Sequence, residues 1–240
     1  MATKQVNVPG IGMVTLYKRR GNRSLRLSIG HDGEIRVSLP YWLPYTAGEQ
    51  FVRSKQAWIV MHQPKKQTVL QNGQSIGKAH RLYFNPDATL TKPKTYVGKT
   101  EVHIALPLGM LTDDPDAQEA ATAAGLRALR KEAETLLPQR LRTLSEQTGL
   151  SYKSVSVRQL KSRWGSCDNH KEITLSIFLM QLPWHLIDYV LIHELTHTKV
   201  MQHGAPFWKE FERHLPSAKQ LKKEMAAYQP ILTPGRLIVA

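Results

Sequence analysis

The sequence predicts an α+β protein in which strand-rich and helix-rich stretches are largely separated along the chain. Apolar residues alternate in the first third, over residues 25–29 and 35–39, on either side of a tight His31-Asp32-Gly33 turn. A long segment rich in Ala, Leu, Glu and Arg follows over residues 115–149, and a strongly apolar helical segment lies at about residues 183–200. These three observations predict a β-rich N-terminal part followed by a part that contains the longest helices.

The β-rich part contains one predicted helix, "GEQFVRSKQAWIVMH" (48–62), whose apolar residues recur near helical spacing. Residues 68–106 return to short runs broken by Gly and Pro, among which "RLYF" and "EVHIAL" are predicted strands. The pattern therefore assigns residues 1–110 to a β-rich N-terminal region with one helix.

The long Ala-rich segment predicts a connecting helix over residues 111–150. It begins after Asp113-Asp114 and has Gly149 near its end, while Pro138 is predicted to kink or divide it. Residues 151–240 are assigned to a catalytic region, in which two strand-like runs, "KSVSVRQL" and "KEITLSIFL", flank "KSRWGSC". Shorter helices that contain Phe207, Trp208, Phe211 and Leu221 are expected after the apolar helix.

The composition indicates a soluble protein with an unusual positive charge. Lys and Arg number 33 against 19 Asp and Glu, which gives a net charge of +14. Such a surface either serves solubility or attracts an anionic partner, so a nucleic acid is one candidate partner. No stretch approaches the length of a membrane span, and the first residues lack the apolar core of a secretory signal. The single cysteine, Cys167, fits a reducing compartment, and a cytoplasmic location is expected.

The segment "HELTH" predicts a metal site. Residues four apart lie on the same face of a helix, so His193 and His197 can bind one ion through their ring nitrogens. Glu194 lies beside them, where its carboxylate can act as general base toward a metal-bound water. This His-Glu-x-x-His pattern is typical of catalytic zinc sites with an open position.

A third protein ligand is expected because catalytic zinc usually has three. His203 is the preferred candidate, but an uninterrupted helix would turn it away from His197. The helix must therefore break between Thr198 and Gln202, and the nearby Gly204 and Pro206 indicate that it does. The competing third ligands are Glu210, Glu212 and His214.

The segment "RWGSC" is the predicted substrate-binding element. Its residues Arg163, Trp164, Gly165 and Ser166 lie in a strand-like region, and such a strand beside the metal helix could hold an extended peptide by backbone pairing. From the local sequence alone, Trp164 is expected to fill the core, and Gly165 is expected to let another part of the chain approach the backbone closely. Cys167 is interpreted as a small buried apolar residue rather than a nucleophile, because no adjacent base is evident.

These motifs resemble the YgjP-like family of zinc metallopeptidase-type proteins, which is related to the SprT-type zincins. The resemblance rests on the ordered motifs "RWGSC", "ITLS", "LPWHLIDYVLIHELTH" and "HGAPFW", and on the upstream stretches "RRGNRSLRLSIGHDGEIRVSLP" and "KQAWI". It implies a zincin-like C-terminal half. It also implies one Zn²⁺ per chain on His193, His197 and His203, with Glu194 as catalytic base.

Three functions remain open on the sequence alone. The first is a zinc metallopeptidase that acts on peptide or protein substrates. The second, which the family resemblance brings in for one branch, is a nucleoside triphosphate pyrophosphatase of the UTP type that uses the same metal site. The third is a nucleic-acid-associated protein with a non-catalytic zinc. A P-loop is not formed, because Gly73 and Gly77-Lys78 are one residue too close and Ala79 replaces the required hydroxyl.

Overall fold

A computed structural model describes residues 3–29, 34–62, 69–160, 162–228 and 231–232. The chain forms two compact units, Met1–Lys66 (unit 1) and Gln67–Ala240 (unit 2). The sequence pattern instead placed boundaries near residues 110 and 150. The division lies earlier because the strands of residues 81–107 share one apolar core with the long helix and with the C-terminal elements.

Unit 1 contains a mixed four-stranded sheet in the order β1-β2-β4-β3. The strands are β1 (Thr3–Val8), β2 (Gly12–Arg19), β3 (Arg26–Ile29) and β4 (Ile35–Pro40). β1 pairs antiparallel with β2, β2 pairs parallel with β4, and β3 pairs antiparallel with β4. The last pairing confirms the two predicted strands, whereas the predicted turn between them falls outside the described residues.

Two helices, α1 (Tyr45–Ser54) and α2 (Gln56–His62), replace the single helix expected over residues 48–62. The chain leaves helical geometry at Lys55, whose φ and ψ are −105° and 12°. Each helix buries one of the apolar residues that predicted it, because Val52 and Ile59 lie in the core beside Val14, Leu16 and Val37, whereas Trp58 is 40% exposed.

Unit 2 begins with a three-stranded sheet in the order β5-β7-β6. Its strands are β5 (Arg81–Asp87), β6 (Lys94–Val97) and β7 (Glu101–Pro107). The next element, α3 (Pro115–Thr148), is one helix of 34 residues. The Asp114 side chain accepts a hydrogen bond from Asp116 N at its start, and Gly149 ends it with a φ of 71°. Pro138 lies inside α3 and does not divide it.

The C-terminal part of unit 2 combines a small sheet with the remaining helices. Its strands, in the order β8-β10-β9, are β8 (Ser154–Arg158), β9 (Gly165–Cys167) and β10 (Glu172–Ser176). A 3-10 helix (Ile177–Gln181) leads to α4 (Trp184–His197), α5 (Ala205–His214) and α6 (Ala218–Ala227). α4 packs against α3, α5, α6 and β9, which places the helix with the histidines in the middle of the core.

α4 ends at His197, three residues earlier than the expected end near Val200. The side-chain hydroxyl of Thr198 donates to the carbonyl of Leu195 at 2.7 Å, and two successive backbone N–H groups bond to Thr196. Within the described part of the chain, no helix has the length and apolar character needed to cross a membrane.

Candidate metal centre

The metal-binding motif lies on the buried part of α4. His193, Glu194 and His197 are 2%, 0% and 5% exposed. The residues around them are apolar and fully buried, which holds the helix in the core: Val190, Leu191 and Leu195. A helix in this position has to satisfy three polar side chains away from solvent, since burying them without partners costs free energy.

His203 returns to the two helical histidines because α4 ends at His197. The three Nε2 atoms form a nearly equilateral triangle: 3.1 Å from His193 to His197, 3.0 Å from His197 to His203, and 3.1 Å from His203 to His193. His203 is on the exposed side of this group, so the triangle connects the core with the surface. The end of α4 at His197 is therefore the feature that brings the third imidazole into place.

The donor set fits a zinc ion. Two nitrogen ligands at about 2.0–2.1 Å from one zinc in tetrahedral geometry lie about 3.3 Å apart, close to the separations seen here. Hydrogen bonds among the rings do not explain the triangle. The Nδ1 atom of His197 lies 3.2 Å from the carbonyl oxygen of Val200, and it must carry the proton because a carbonyl can only accept. The Nε2 atom of a neutral His197 then has one lone pair, to which two neighbouring nitrogens cannot both donate.

Electrostatics keep His197 in the form that binds metal. Burial and the neighbouring His203 lower the pKa of His197, which favours the neutral imidazole at neutral pH. The hydrogen bond to Val200 fixes the tautomer and the orientation of its ring. His197 therefore points an unprotonated Nε2 into the triangle.

Phe207 of α5 packs against all three imidazoles. Its ring centroid lies 4.9 Å from that of His193, 4.5 Å from that of His197 and 4.8 Å from that of His203. Phe211 and Tyr189 also contact the ring of His193, at 5.4 and 6.4 Å. The role of Phe207 was not predicted, because an aromatic residue in an amphipathic helix looks like any other core residue until its neighbours are known.

Glu194 is buried without a hydrogen-bond partner among the described residues. Both of its carboxylate oxygens are inaccessible and unpaired there. Burial raises the pKa of Glu194 to about 8, and the positive charge of Arg163 lowers it. The carboxylate fits against β9 because Gly165 has no side chain: a Cβ atom at Gly165 would lie 2.7 Å from Oε1 of Glu194.

The segment "RWGSC" lies beside α4, at the edge of its sheet. Arg163 is exposed, Gly165 is buried and Ser166 is half-buried. Trp164 is 1% exposed and belongs to the core, and its carbonyl oxygen accepts a hydrogen bond from Ser176 N at 2.9 Å. Neither the side chain nor the carbonyl of Trp164 is therefore presented to a substrate, although this residue is among the predicted substrate-binding positions.

The register of β9 shows which backbone groups face outward. Trp164, Ser166 and Asp168 pair with Ser176, Thr174 and Glu172, and backbone hydrogen bonds join the first and last of these pairs. Hydrogen-bonded positions alternate in an antiparallel pair, so Ser166 also bonds inward. The backbone N–H and C=O groups of Gly165 and Cys167 therefore point to the outer edge, with which no described strand pairs.

The competing third ligands are engaged elsewhere. The Oε1 atom of Glu210 lies 2.8 Å from Lys199 Nζ and 3.1 Å from His214 Nε2. Glu212 pairs with Lys219 at 3.1 Å. None of the three candidates belongs to the one histidine group that could hold an ion within the described residues.

A second buried carboxylate lies elsewhere in unit 2. Glu132 of α3 accepts hydrogen bonds from the backbone N–H groups of Lys78, Ala79 and His80, at 2.6, 2.9 and 2.9 Å. Its Oε1 atom also lies 2.6 Å from Nδ1 of His80. These backbone groups belong to the stretch that only partly resembles a P-loop, and they bind the protein's own carboxylate.

The chain resembles a known protein family over most of its length. The family model described as "YgjP-like, metallopeptidase domain" matches residues 23–228. No curated protein matches the chain significantly. A solved structure, the crystal structure of the metallopeptidase zymogen of Pyrococcus abyssi abylysin, is 27% identical in sequence to this chain. The match covers 38% of this chain and 91% of that chain, with a TM-score of 0.35.

Proposed function

The chain belongs to the YgjP-like metallopeptidase domain family, and from this premise we propose that it is a zinc-dependent peptidase with Glu194 as general base. The observation that carries the proposal is the juxtaposition of the three imidazole nitrogens with a buried, unpaired carboxylate one residue along the helix. A buried carboxylate without partners is costly in a purely structural role. Beside a metal site it has a chemical task.

His193, His197 and His203 would hold one Zn²⁺ per chain through their Nε2 atoms. When bound, zinc would act as a Lewis acid that polarises a carbonyl and lowers the pKa of a bound water to about 7. Three protein ligands are the number found in catalytic zinc sites, whereas structural sites are usually closed by four. This difference supports an enzyme over a protein with a non-catalytic zinc.

Glu194 would move the proton. Its carboxylate takes a proton from the attacking water and later delivers it to the amine of the departing peptide segment. Without metal, burial raises the pKa of Glu194 to about 8. A cation bound beside it would favour the ionised carboxylate, which is the form that accepts a proton. Gly165 acts as a positioning residue, because the space left by its missing side chain lets the carboxylate lie under β9.

The outer edge of β9 would bind the substrate as an added strand. The backbone groups of Gly165 and Cys167 offer hydrogen bonds to an extended peptide, and they lie on the strand that contacts α4. Ser166 contributes to the inner pairing that holds β9 in place. Arg163 is exposed next to this edge and is the cation that acts on Glu194, so it is a candidate for stabilising developing negative charge.

The two alternatives have less support. The backbone N–H groups of the P-loop-like stretch are bound to Glu132, so this stretch does not offer them to a phosphate. A triphosphate substrate of the UTP type therefore stays an alternative to be excluded by assay. The cytoplasmic location likewise stays a prediction.

The decisive experiment compares the wild type with Glu194→Gln on two substrate classes, an unfolded protein and nucleoside triphosphates. We expect Glu194→Gln to retain about one zinc per chain while its proteolysis falls by about 10²–10⁴-fold. The matched control is Glu134→Gln, which removes an exposed carboxylate from α3. Proteolysis that survives in Glu194→Gln would refute the base. Triphosphate hydrolysis that is lost in Glu194→Gln, with no proteolysis by the wild type, would favour the nucleotide alternative.

A further inference from the structure

Unit 1 carries a disproportionate share of the positive charge. Residues 1–66 contain eleven Lys and Arg against three Asp and Glu, whereas the remaining 174 residues contain 22 against 16. The metal centre lies wholly in unit 2, so catalysis by the histidine site does not explain this concentration. A charge of this density in so short a segment favours an anionic partner.

The charge concentrates at one end of the unit 1 sheet. β2 and β4 are parallel and end together at the Arg19–Pro40 pair, and β3 begins nearby because Arg26 pairs with Ser38. The segments that follow β2 and β4 therefore meet at this end. We name it the basic edge, which comprises Lys18, Arg19, Arg20, Arg23, Tyr41 and Trp42.

Cations and aromatic rings are interleaved in the basic edge. Lys18 Nζ lies 5.7 Å from the ring centroid of Tyr41 and 5.1 Å from that of Tyr45, and it donates to the carbonyl of Tyr41 at 3.1 Å. The guanidinium carbon of Arg20 lies 5.7 Å from the ring of Tyr41. These contacts hold the basic side chains over the rings, so the edge presents charge and flat aromatic surface together.

The rings are exposed to an unusual degree. Tyr41 is 59% exposed and Trp42 is 68% exposed. The acidic residues of unit 1 within the described ranges do not neutralise the edge: Glu34 precedes β4 at the opposite end and bonds to Arg36, and Glu49 pairs with Lys4. The edge therefore has both features that single-stranded nucleic acids require, cations for phosphates and rings for bases.

We infer that the basic edge of unit 1 binds single-stranded nucleic acid, with phosphates on Lys18, Arg20 and Arg23 and a base stacked on Trp42. Single strands are favoured over duplexes because the bases of a duplex are already stacked and cannot cover an exposed ring. A membrane surface is less suitable, since insertion would need an apolar face and the described residues of this edge expose no Leu, Ile, Met or Phe side chain. This inference does not depend on the proposed peptidase activity.

The test measures binding of the full chain to labelled oligothymidylate and oligouridylate of about 16 nucleotides, by fluorescence anisotropy over a series of salt concentrations. Trp42→Ala should weaken binding by about tenfold and leave the salt dependence unchanged, because it removes stacking only. Arg20→Gln with Arg23→Gln should weaken binding and reduce the slope of log K against log salt by about 1.4, since each phosphate contact contributes about 0.7. The DNA and RNA arms show which sugar is preferred.

The controls lie at the opposite end of unit 1. α1 runs away from the basic edge, and Gln56 at the start of α2 reaches Gly10 in the turn between β1 and β2. Arg53→Gln and Trp58→Ala should therefore bind like the wild type, and melting curves establish that every variant is folded. If Arg53→Gln weakened binding as much as the substitutions in the basic edge, the inference would be overturned, because binding would then depend on the overall positive charge and not on this edge. Absence of binding at low salt, a preference for duplex, or binding confined to vesicles that contain phosphatidylserine would also overturn it.

Discussion

Glu132 and Glu194 are two buried glutamates in the same unit, and they have opposite surroundings. Glu132 is 5% exposed and is the acceptor for three backbone N–H groups and the ring of His80. Glu194 is 0% exposed, and neither of its oxygens has a hydrogen-bond partner among the described residues. Each lies against a glycine: a Cβ atom at Gly77 would be 2.3 Å from Oε2 of Glu132, and one at Gly165 would be 2.7 Å from Oε1 of Glu194.

The difference agrees with a structural role for Glu132 and with the chemical role that we propose for Glu194. Four hydrogen bonds compensate Glu132 for the loss of water, and they hold the loop of residues 77–80 against α3. Glu194 lacks this compensation, so the folded protein without metal bears an uncompensated desolvation penalty. Such a penalty is typical of catalytic groups, whose proton must remain available for reaction.

The largest expected effect is on zinc affinity, and it compares the three histidines of the triangle with the buried His80 that contacts Glu132. His193→Ala, His197→Ala and His203→Ala should each lower zinc affinity by about 10²–10³-fold, because each removes one ligand. The matched control is His80→Ala, which removes a histidine as buried as His193 but outside the triangle. Elemental analysis after dialysis against a weak chelator should find about one zinc per chain in the control. Loss of zinc from His80→Ala would show that the two clusters are not separate in function.

The second prediction concerns stability without metal. Glu132→Gln should lower the free energy of unfolding by about 2–4 kcal/mol, because a neutral amide replaces the charged acceptor of several hydrogen bonds. Glu194→Gln should raise the free energy of unfolding at pH 8 by on the order of 3 kcal/mol, because it removes a buried charge that has no hydrogen-bond compensation.

The stability of the metal-free protein should depend on pH, in a direction that follows from the pKa of Glu194. The pKa of Glu194 is raised from 4.5 to about 8 on folding, so the folded protein retains a proton that the unfolded chain releases. Stability of the metal-free wild type should therefore fall as the pH rises from about 4.5 to about 8, and the gain from Glu194→Gln should vanish below pH 4.5. Denaturant unfolding with a chelator at pH 4.5, 6 and 8 measures both variants. If both substitutions changed the free energy of unfolding at pH 8 in the same direction, Glu132 and Glu194 would not differ in the way proposed.

The third prediction compares the two glycines. Gly165→Ala should retain zinc but reduce proteolysis by about 10–100-fold, because the added methyl group displaces Glu194, the proposed general base. Gly77→Ala should leave the activity of the folded protein within about twofold and lower stability by about 1–3 kcal/mol, since the methyl group pushes only on the loop and Glu132. Assays of zinc content, turnover and melting temperature distinguish the two outcomes. Full activity in Gly165→Ala would show that Glu194 does not need the space below β9.

The smallest expected effect concerns Cys167. Burial, followed by the negative charges of Glu194 and Asp168, raises its pKa from 9.0 to about 11. The rate of alkylation should therefore increase about tenfold per pH unit from pH 8 to 10 without levelling off. Glu194→Gln should shift this profile to lower pH by a fraction of a unit, and Glu132→Gln should leave it unchanged. Mass spectrometry of iodoacetamide-treated protein provides the rates, with the unfolded protein as reference.

Local patterns account for much of the fold that the structure shows. The alternating residues of 25–29 and 35–39 form the antiparallel pair β3–β4, and the caps Asp114 and Gly149 delimit α3. The helix at 48–62 was expected in one piece, and the break at Lys55 was not predicted. Pro138 was expected to kink or divide α3. The helix remains continuous because its apolar residues before and after Pro138 are packed in the same core.

The sequence also predicted which residues could bind metal, but it left the third ligand open. The spacing of His193 and His197 fixes their common face, since four residues make about one helical turn. His203 could be chosen over Glu210, Glu212 and His214 only after the chain path following His197 was known. The roles of Phe207, Glu132 and Gly77 were not predicted, because their partners lie far away in the sequence.

Covalent spacing and local propensity thus determined the motif on α4, the course of the long helix and the family resemblance. The tertiary structure decided what spacing cannot encode. It brought His203 back to the triangle and directed the backbone groups of Gly165 and Cys167 to the outer edge of β9. It gave Glu132 four hydrogen bonds, whereas neither oxygen of Glu194 has a hydrogen-bond partner among the described residues. The physical reason is that hydrogen bonding, burial and pKa depend on which distant residues come into contact, and those contacts form only when the whole core packs.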